Sequence, residues 1–447
     1  MIVIVGAGLA GLSAAYHLQG APLQVFEKER EAGGLCRSYD LNGFTFDLTG
    51  HLLHFRRAEI KELIGRLLDG RFTTHVRRSF IYSYRTYTEY PYQVNTFGLP
   101  PEVVRECLLG FIATLTRQPA DTARSLSFKE WIGENLGEGF AKHFMVPFNE
   151  KLFQVSLDEL TSDWVSWLIP KPDLKDVVSG ALGIKDKTFG YNPTFLYPTH
   201  GGIDILPKAF VPSAGDIAYD AELIEVDTVR RRATFKVGTN GTRVVEYDEL
   251  VSTIPLPDLV RRCPDLPAAL RDAAEGLRCV SVYSVNLGVA RERVTDMHWI
   301  YFPEHDFPFY RAGFPMNFSS TLGPAGCSSL YVEVSHRPDE PQPVKDVLKQ
   351  VRTGLERAGI FRPDDELVAA DVRDIRYAYV LFDRHRERAV PALLEALRAR
   401  GIHSIGRYGR WEHTSMEDAI RQGKECAEQV ASRSLRRSDP VAVGRSA

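Results

Sequence analysis

The chain is short of cysteine, of surplus charge and of long apolar runs. Six cysteines among 447 residues (36, 107, 263, 279, 327 and 426) are scattered, with no C-x-x-C pair. That spacing fits free thiols in a reducing cytoplasm better than a disulfide framework or a zinc site. Lys and Arg number 55 against 58 Asp and Glu, a net charge of −3. A general nucleic-acid binder, which needs a basic excess, is thereby excluded. The longest nearly uninterrupted apolar stretch, residues 107–113, is far short of a membrane span and is expected to be one face of a buried helix. The first strand is expected to begin at Met1, so no secretory leader is expected before it. No internal repeat is found. What is left is an ordinary globular composition, 44% hydrophobic and 25% charged, in a chain long enough for two or more domains.

The most informative residues come first. Met1-Ile2-Val3-Ile4-Val5 is an apolar strand, followed at once by Gly6-Ala7-Gly8-Leu9-Ala10-Gly11 and a helical pattern from Leu12 to Leu18. A second strand, Leu23-Gln24-Val25-Phe26, ends at Glu27, and Gly33-Gly34 follows. This is a βαβ unit with a G-x-G-x-x-G turn. Gly6 permits the tight turn, Gly8 lets the backbone approach a pyrophosphate, and Gly11 lets helix and strand pack closely. The helix N-terminus favours phosphate. Glu27, 16 residues beyond Gly11, suits the hydroxyls of a ribose and disfavours a 2′-phosphate, so NADP is not expected.

Further along, residues 43–48 alternate as a strand and lead into Thr49-Gly50-His51-Leu52-Leu53-His54. Residues 60–68 have helical spacing, and 80–84 with 87–90 form a hairpin around Arg85-Thr86. Residues 101–165 are mostly helical, a candidate insertion over the active site. The Pro/Gly-rich stretch 169–190 is expected to be irregular. Strands are expected at 222–226 (which contains Ile224), 233–237 and 249–254, a second sheet between 280 and 334, a strand at 402–405, and a helix from Met416 to about Ser432. The fold class is therefore α/β: a Rossmann-type, discontinuous dinucleotide-binding domain (1–55, 198–262 and 400–433) with an inserted mixed α+β substrate or cap domain (56–197 and 263–399). The tail 434–447 lacks periodicity and is expected to be disordered.

Four spaced motifs agree with one another. They are the N-terminal fingerprint; Asp47-Leu48-Thr49-Gly50-His51-Leu52-Leu53-His54; Tyr197-Pro198-Thr199-His200-Gly201-Gly202 with Val251-Ser252-Thr253-Ile254-Pro255; and Gly406-Arg407-Tyr408-Gly409-Arg410-Trp411-Glu412-His413-Thr414-Ser415-Met416. The segment from Glu27 through Lys28, Gly33 and Gly34 to Arg37 resembles the extension of FAD proteins of the glutathione-reductase type. Together the motifs resemble the UDP-galactopyranose mutase and protoporphyrinogen-oxidase branch of the flavin amine oxidase superfamily, and the G-H-x-x-H element looks most like the mutases. The resemblance implies FAD as cofactor, in its reduced form for a mutase, whose flavin N5 attacks the sugar and lets it reclose with the other ring size. It implies Gly50 and His51 beside the flavin, His54 supporting that loop, Ile224 on the cofactor, Arg407 (after Gly406) on its phosphates, and Met416 opening a helix whose N-terminus faces the flavin.

On the substrate side the resemblance is looser. Tyr310-Arg311 falls where mutases carry T-R-I, with Arg311, His51 and His54 as the catalytic candidates. Phe148-Asn149-Glu150-Lys151-Leu152-Phe153 stands where mutases have Y-T-x-K-Q-W, so Phe148, Lys151 and Phe153 are candidates for a nucleotide, with core packing as the other reading. Asn95, Tyr197, Trp411 and His413 join them. Lys171, Lys185, Lys187 and Arg311 are candidates for the diphosphate, although lysine does not replace a bidentate arginine. No metal is implied. The expected partner is a small molecule, a nucleotide sugar first, in a cytoplasmic enzyme without an integral membrane segment; a homodimer is the assembly to test. Two reaction classes stay open: a sugar-nucleotide mutase, and an FAD oxidoreductase of the amine oxidase type.

Overall fold

A computed structural model describes residues 1–116, 126–165, 169, 171–184, 193–239 and 241–438, with side chains as far as 433. Its first sheet is parallel throughout, in the order Ile402–Ser404, Glu249–Ser252, Ile2–Val5, Leu23–Phe26, Ile217–Ala218. Ile2–Val5 is wholly apolar and buried on both faces, as a central parallel strand must be. Its strands come from three separated stretches of chain. Their C-terminal ends, where open α/β sheets take ligands, carry Gly6, Glu27, Thr253 and Gly406.

One face of this sheet is covered by two helices that touch almost backbone to backbone. Leu9–His17 packs on Met416–Ser438, and a Cβ at Gly423 would lie 2.5 Å from the Ala10 carbonyl and 2.8 Å from the Ala14 nitrogen. Ser13 Oγ donates to the Ile420 carbonyl at 2.6 Å across the same seam. An antiparallel meander, Ala221–Asp227, Arg232–Val237 and Gly241–Glu246, packs beside the sheet, with Phe26 stacked on Phe235 at 3.8 Å.

The second sheet has seven strands: Leu367–Val380, Cys279–Val289, Ser328–His336, Arg311–Gly313, Trp299–Tyr301, Ser79–Ser83 and Thr86–Glu89. One face is apolar and closes on the helix Val344–Arg357, through Val285, Ile300, Ala312, Val332 and Val351. The other face carries Trp299, Tyr301, Arg311, Gly313, Tyr331 and Glu333, paired across the strands as Trp299 with Gly313 with Tyr331, and Tyr301 with Arg311 with Glu333. The helical segments Pro101–Leu115, Phe128–Asn135 and Val146–Phe153 pack around Phe111, Phe128, Phe140 and Phe144 beside this sheet.

Three sequence expectations are corrected. The second sheet is wider than 280–334, because the hairpin at 79–89 and the long strand at 367–380 join it. Within 169–190 a helix, Leu174–Ala181, replaces irregular chain. Asp173 and Asp176 form a capping box at its start, and Gly180 admits the Val94 carbonyl where a Cβ would sit 2.0 Å away. The final helix runs past 432 to Ser438, so residues 434–438 are helical; the rest of the expected disordered tail lies outside the described residues.

The helix seam yields a test. Gly423→Val drives two methyl groups into the first helix, and overpacking of this kind costs about 1–3 kcal/mol. The urea midpoint should fall accordingly; an unchanged midpoint would mean the two helices separate freely.

Candidate active site

At the first strand's end, Gly6 has φ +98°, and a Cβ there would meet Thr253 Oγ1 at 2.2 Å. A Cβ at Gly11 would fall 2.0 Å from the Gly6 carbonyl. The Gly33-Gly34 loop lies against the fingerprint: Gly33 N–H donates to the Ala7 carbonyl at 2.8 Å, and a Cβ on Gly34 would stand 3.3 Å from Gly8 Cα. The two glycine turns thus form one side-chain-free cradle. Glu27 is buried beside it, its carboxylate accepting from Ala7 N–H at 2.7 Å and Glu29 N–H at 2.9 Å. Arg37 donates from Nε to the Gly34 carbonyl at 2.8 Å and so braces the loop. Lys28 is exposed and pairs with Glu29 at 3.6 Å. Ile224 sits at a bulge in its strand with its side chain turned outward.

The histidine loop crosses from this cradle to the polar face of the second sheet. Gly50 lies on Tyr331, and a Cβ there would be 2.5 Å from the ring. Thr49 Oγ1 donates to Glu333 at 2.9 Å, and Arg311 makes a bidentate pair with the same carboxylate, both bonds at 2.7 Å. Burial alone would raise the Glu333 carboxyl, but the Arg311 charge and hydrogen bonds from Arg311, Tyr310 and Thr49 overturn that and hold it below the usual range. His51 places Nδ1 at 3.0 Å from the Thr49 carbonyl, and His54 places Nδ1 at 3.0 Å from the Thr194 carbonyl. A carbonyl only accepts, so in each neutral ring Nδ1 carries the proton and Nε2 the lone pair. Burial pulls both imidazoles down to about 4; for His51 the Arg407 and Arg311 charges add to it.

Around the loop stands an aromatic wall. Tyr310 is buried, its hydroxyl 3.4 Å from that of Tyr379, and Phe148 meets Tyr310 at 6.3 Å and Tyr301 at 5.4 Å. Arg407, in the turn Gly406–Gly409, donates to the Thr414 carbonyl at 2.9 Å and the Ala378 carbonyl at 3.2 Å, with Tyr379 5.6 Å from its guanidinium. His413 closes the wall, edge-on to Tyr379 at 5.8 Å and stacked on Phe153 at 6.1 Å. Its Nε2 has no hydrogen-bond partner among the described residues, and burial with the Arg407 charge holds the ring well below its ordinary pKa. Met416 opens the last helix, capped by Ser415, which exchanges hydrogen bonds with Asp418. Glu417 in its first turn accepts the backbone N–H groups of Arg56 and Arg57 at 2.9 and 2.8 Å, tying the end of the histidine loop to the helix.

Several predicted substrate contacts are engaged elsewhere. Trp411 is fully buried in the core between the sheet and the meander. Tyr197 is buried and donates to Asp47 at 2.7 Å, and burial lifts that carboxyl to about 6. Asn95 closes a local turn onto the Pro91 carbonyl at 3.0 Å. Lys151 directs its ammonium at backbone carbonyls instead of into the aromatic wall. Phe153 is core to the helical segment while still touching His413. Lys185 and Lys187 lie outside the described residues. The residues that sequence reasoning missed are Thr49, Glu333, Tyr331, Tyr301 and Tyr379. For Tyr331 and Glu333 the signal was the period of two in Leu330-Tyr331-Val332-Glu333-Val334, a polar face on an otherwise apolar strand.

Two measurements follow from these electrostatics. Glu333→Gln leaves Arg311 without its counter-charge, and breaking a buried pair from one side costs about 3–5 kcal/mol; an unshifted denaturation midpoint would contradict the pairing. An unfolded imidazole titrates near 6.5, and folded His51 and His54 near 4. Between those values the unfolded chain binds protons that the folded chain refuses, so stability falls as pH drops from 6.5 towards 4. The double substitution His51→Asn, His54→Asn should flatten that slope in thermal melts; a slope as steep as the wild type's would mean that these rings are not the source.

Comparison with known proteins joins these features. Reduced UDP-galactopyranose mutase superposes with a TM-score of 0.90 at 27% identity, covering 97% of this chain and 94% of that one. The zeta-carotene-forming phytoene desaturase of Myxococcus xanthus is 53% identical over 49 residues, a span of only 10% of either protein. The L-amino-acid oxidase of Crotalus adamanteus is 25% identical over 369 residues, 74% of this chain and 70% of the oxidase. Among the described residues no helix is long and apolar enough to cross a membrane. Residues 9–431 match the flavin containing amine oxidoreductases: the chain belongs to that family, and its cofactor is FAD.

Proposed function

We propose that the protein is a sugar-nucleotide mutase of the UDP-galactopyranose mutase kind, interconverting pyranose and furanose rings with its FAD reduced. The observation that carries this reading is the end-to-end likeness to the reduced mutase, which takes in both sheets and the helical segments as well as the Rossmann unit. The residues present fit the cofactor. The facing backbones of Gly8 and Gly34 leave the room a pyrophosphate needs, with Gly6, Gly11, Gly33 and Arg37 fixing their approach, and Glu27 stands where it can accept from ribose hydroxyls. The partial positive charge at the Met416 helix start favours electron density on a reduced ring. When bound, reduced FAD supplies an electron-rich ring, and oxidised FAD a hydride acceptor.

The chain's own residues position and exclude. Thr49, Glu333 and Arg311 hold the Gly50-His51 loop. His51 keeps a neutral imidazole with a lone pair on Nε2, able to accept a hydrogen bond from a sugar hydroxyl and orient it. Phe148, backed by the buried Tyr310, stands where it can meet a base or sugar, and Tyr301, Tyr331 and Tyr379 exclude water from the reacting carbon. Arg311 is already neutralised by Glu333, so its part here is to orient the loop and not to clamp a free diphosphate.

A second reading, an FAD oxidoreductase of the amine oxidase or protoporphyrinogen oxidase type, is favoured by the same aromatic wall, which suits an apolar substrate equally well. One experiment separates the two. The purified protein is mixed with UDP-, GDP- and dTDP-sugars before and after dithionite reduction, and the products are resolved by chromatography. The mutase reading expects isomerisation only in the reduced state, with no net consumption of reductant. A yellow protein inert to every sugar nucleotide in both states, but consuming oxygen with an amine or polycyclic substrate, would overturn it.

A further inference from the structure

Lys151 is the residue whose motif outlived its predicted role. It lies on Val146–Phe153, one turn beyond Phe148, and is buried. Its Nζ donates to the Phe302 carbonyl at 2.7 Å and to the Glu304 carbonyl, with the Phe309 carbonyl at 3.5 Å as the third acceptor. These three oxygens come from the start, middle and end of one loop. That loop leaves the strand Trp299–Tyr301, is closed at its neck by Phe302 N–H donating to the Tyr310 carbonyl at 2.9 Å, and returns as Arg311–Gly313. Tyr310 and Arg311 of the candidate site are therefore the first residues after the part of the loop wrapped on the ammonium.

We propose that Lys151 is a positioning residue: its ammonium is the centre on which the 302–310 loop is folded, and through it the register of Tyr310 and Arg311 against Phe148 is set. An ammonium is the side-chain group suited to this task. It has three donors in a tripod and no acceptor, and three carbonyls converging on a point need that arrangement. Bonds between a charged donor and a backbone carbonyl are the stronger kind, and without the ammonium the Phe302 and Phe309 carbonyls would lose this donor, while the Glu304 carbonyl keeps the Phe307 N–H at 3.2 Å. A guanidinium brings charge and donors but spreads them in a plane, so it can satisfy part of the set. Burial pulls the Lys151 ammonium down to about 7; Glu304 and Asp306 on the loop favour its charged form, and Arg357 at the end of the helix that covers the sheet's apolar face opposes it. An open pocket of about 610 Å³ borders Lys151, lined by Glu150, Gln154 and Gln350 together with His305, Phe307 and Pro308 of the loop. Phe302, Phe307 and Phe309 of the loop are themselves buried in the core under the helix Val344–Arg357, so apolar packing holds the loop's side chains while the lysine gathers its backbone carbonyls. This inference holds for either substrate class, since it concerns the wall and not what binds to it.

The test uses the FAD-loaded protein and compares wild type, Lys151→Met and Lys151→Arg. Hydrogen exchange followed by mass spectrometry reads the peptides over 299–313 and over the five-stranded sheet. In parallel, 3-fluorotyrosine labelling gives a 19F resonance for Tyr310, assigned by its absence in Tyr310→Phe. We expect Lys151→Met to raise exchange in 302–311 at least tenfold with the parallel sheet unchanged, and to shift or split the Tyr310 resonance. Lys151→Arg should restore part of both, and it keeps the test alive if the methionine variant does not fold. Unchanged loop exchange and an unmoved Tyr310 signal in Lys151→Met would overturn the proposal. So would an equal loss of protection over the whole chain with no recovery in Lys151→Arg, the behaviour of a residue that serves stability alone.

Discussion

The buried pair of Arg311 and Glu333 is the constraint on which the candidate site depends. A carboxylate inside a sheet is unfavourable unless it is both paired and hydrogen-bonded, and here the second requirement reaches across to another part of the chain. Thr49 supplies the extra donor. The electrostatic needs of one strand therefore dictate where the loop carrying Gly50 and His51 must sit. Tyr331, next but one to Glu333 on the same face, fills the space that a side chain at position 50 would need. The histidine loop is thus held by charge on one side and by the lack of a Cβ on the other.

The cofactor cradle is built by the opposite device. No ion pair bridges the two glycine turns; they meet because neither carries a side chain, and one backbone bond from Gly33 to Ala7 fixes the spacing. A surface made of backbone can be approached by a phosphate without displacing anything, and the carboxylate of Glu27 stands beside it, held by the Ala7 and Glu29 N–H groups. The polar wall and the glycine cradle lie on different sheets, between which the chain passes several times, as from 252 to 279 and from 380 to 402.

How much of this was legible in the sequence differs by the range of the interaction. The Rossmann unit, the hairpin around Arg85-Thr86, the strand at 249–252 and the helix starting at Met416 are local patterns, and they were readable from glycine spacing and hydrophobic period. The seven-stranded sheet was underestimated, because pairing of 79–83 with 299–301 joins segments more than two hundred residues apart and leaves no local mark. The helix at 174–181 was hidden by the proline and glycine around it, although Asp173 and Asp176 carry its capping signal. At the site, His51 and Arg311 could be singled out by motif, but their partner Glu333 could not, since nothing in one strand says which residue faces it. For Trp411 and Lys151, substrate candidates in the sequence that the fold turns toward core and backbone, the reason is related: an aromatic ring or an ammonium looks the same in a sequence whether it faces a ligand or the protein's own chain.

The hold of Glu417 on the backbone of Arg56 and Arg57 has a consequence for how the molecule is made. The loop after the histidines is anchored by a residue near the far end of the chain, and the cradle takes strands from the beginning, the middle and the last tenth of the sequence. A ribosome delivers these pieces in order, so the first 55 residues emerge long before the partners that close on them. The flavin pocket is therefore complete only once the stretch carrying Gly406 and Met416 has joined the first 55 residues.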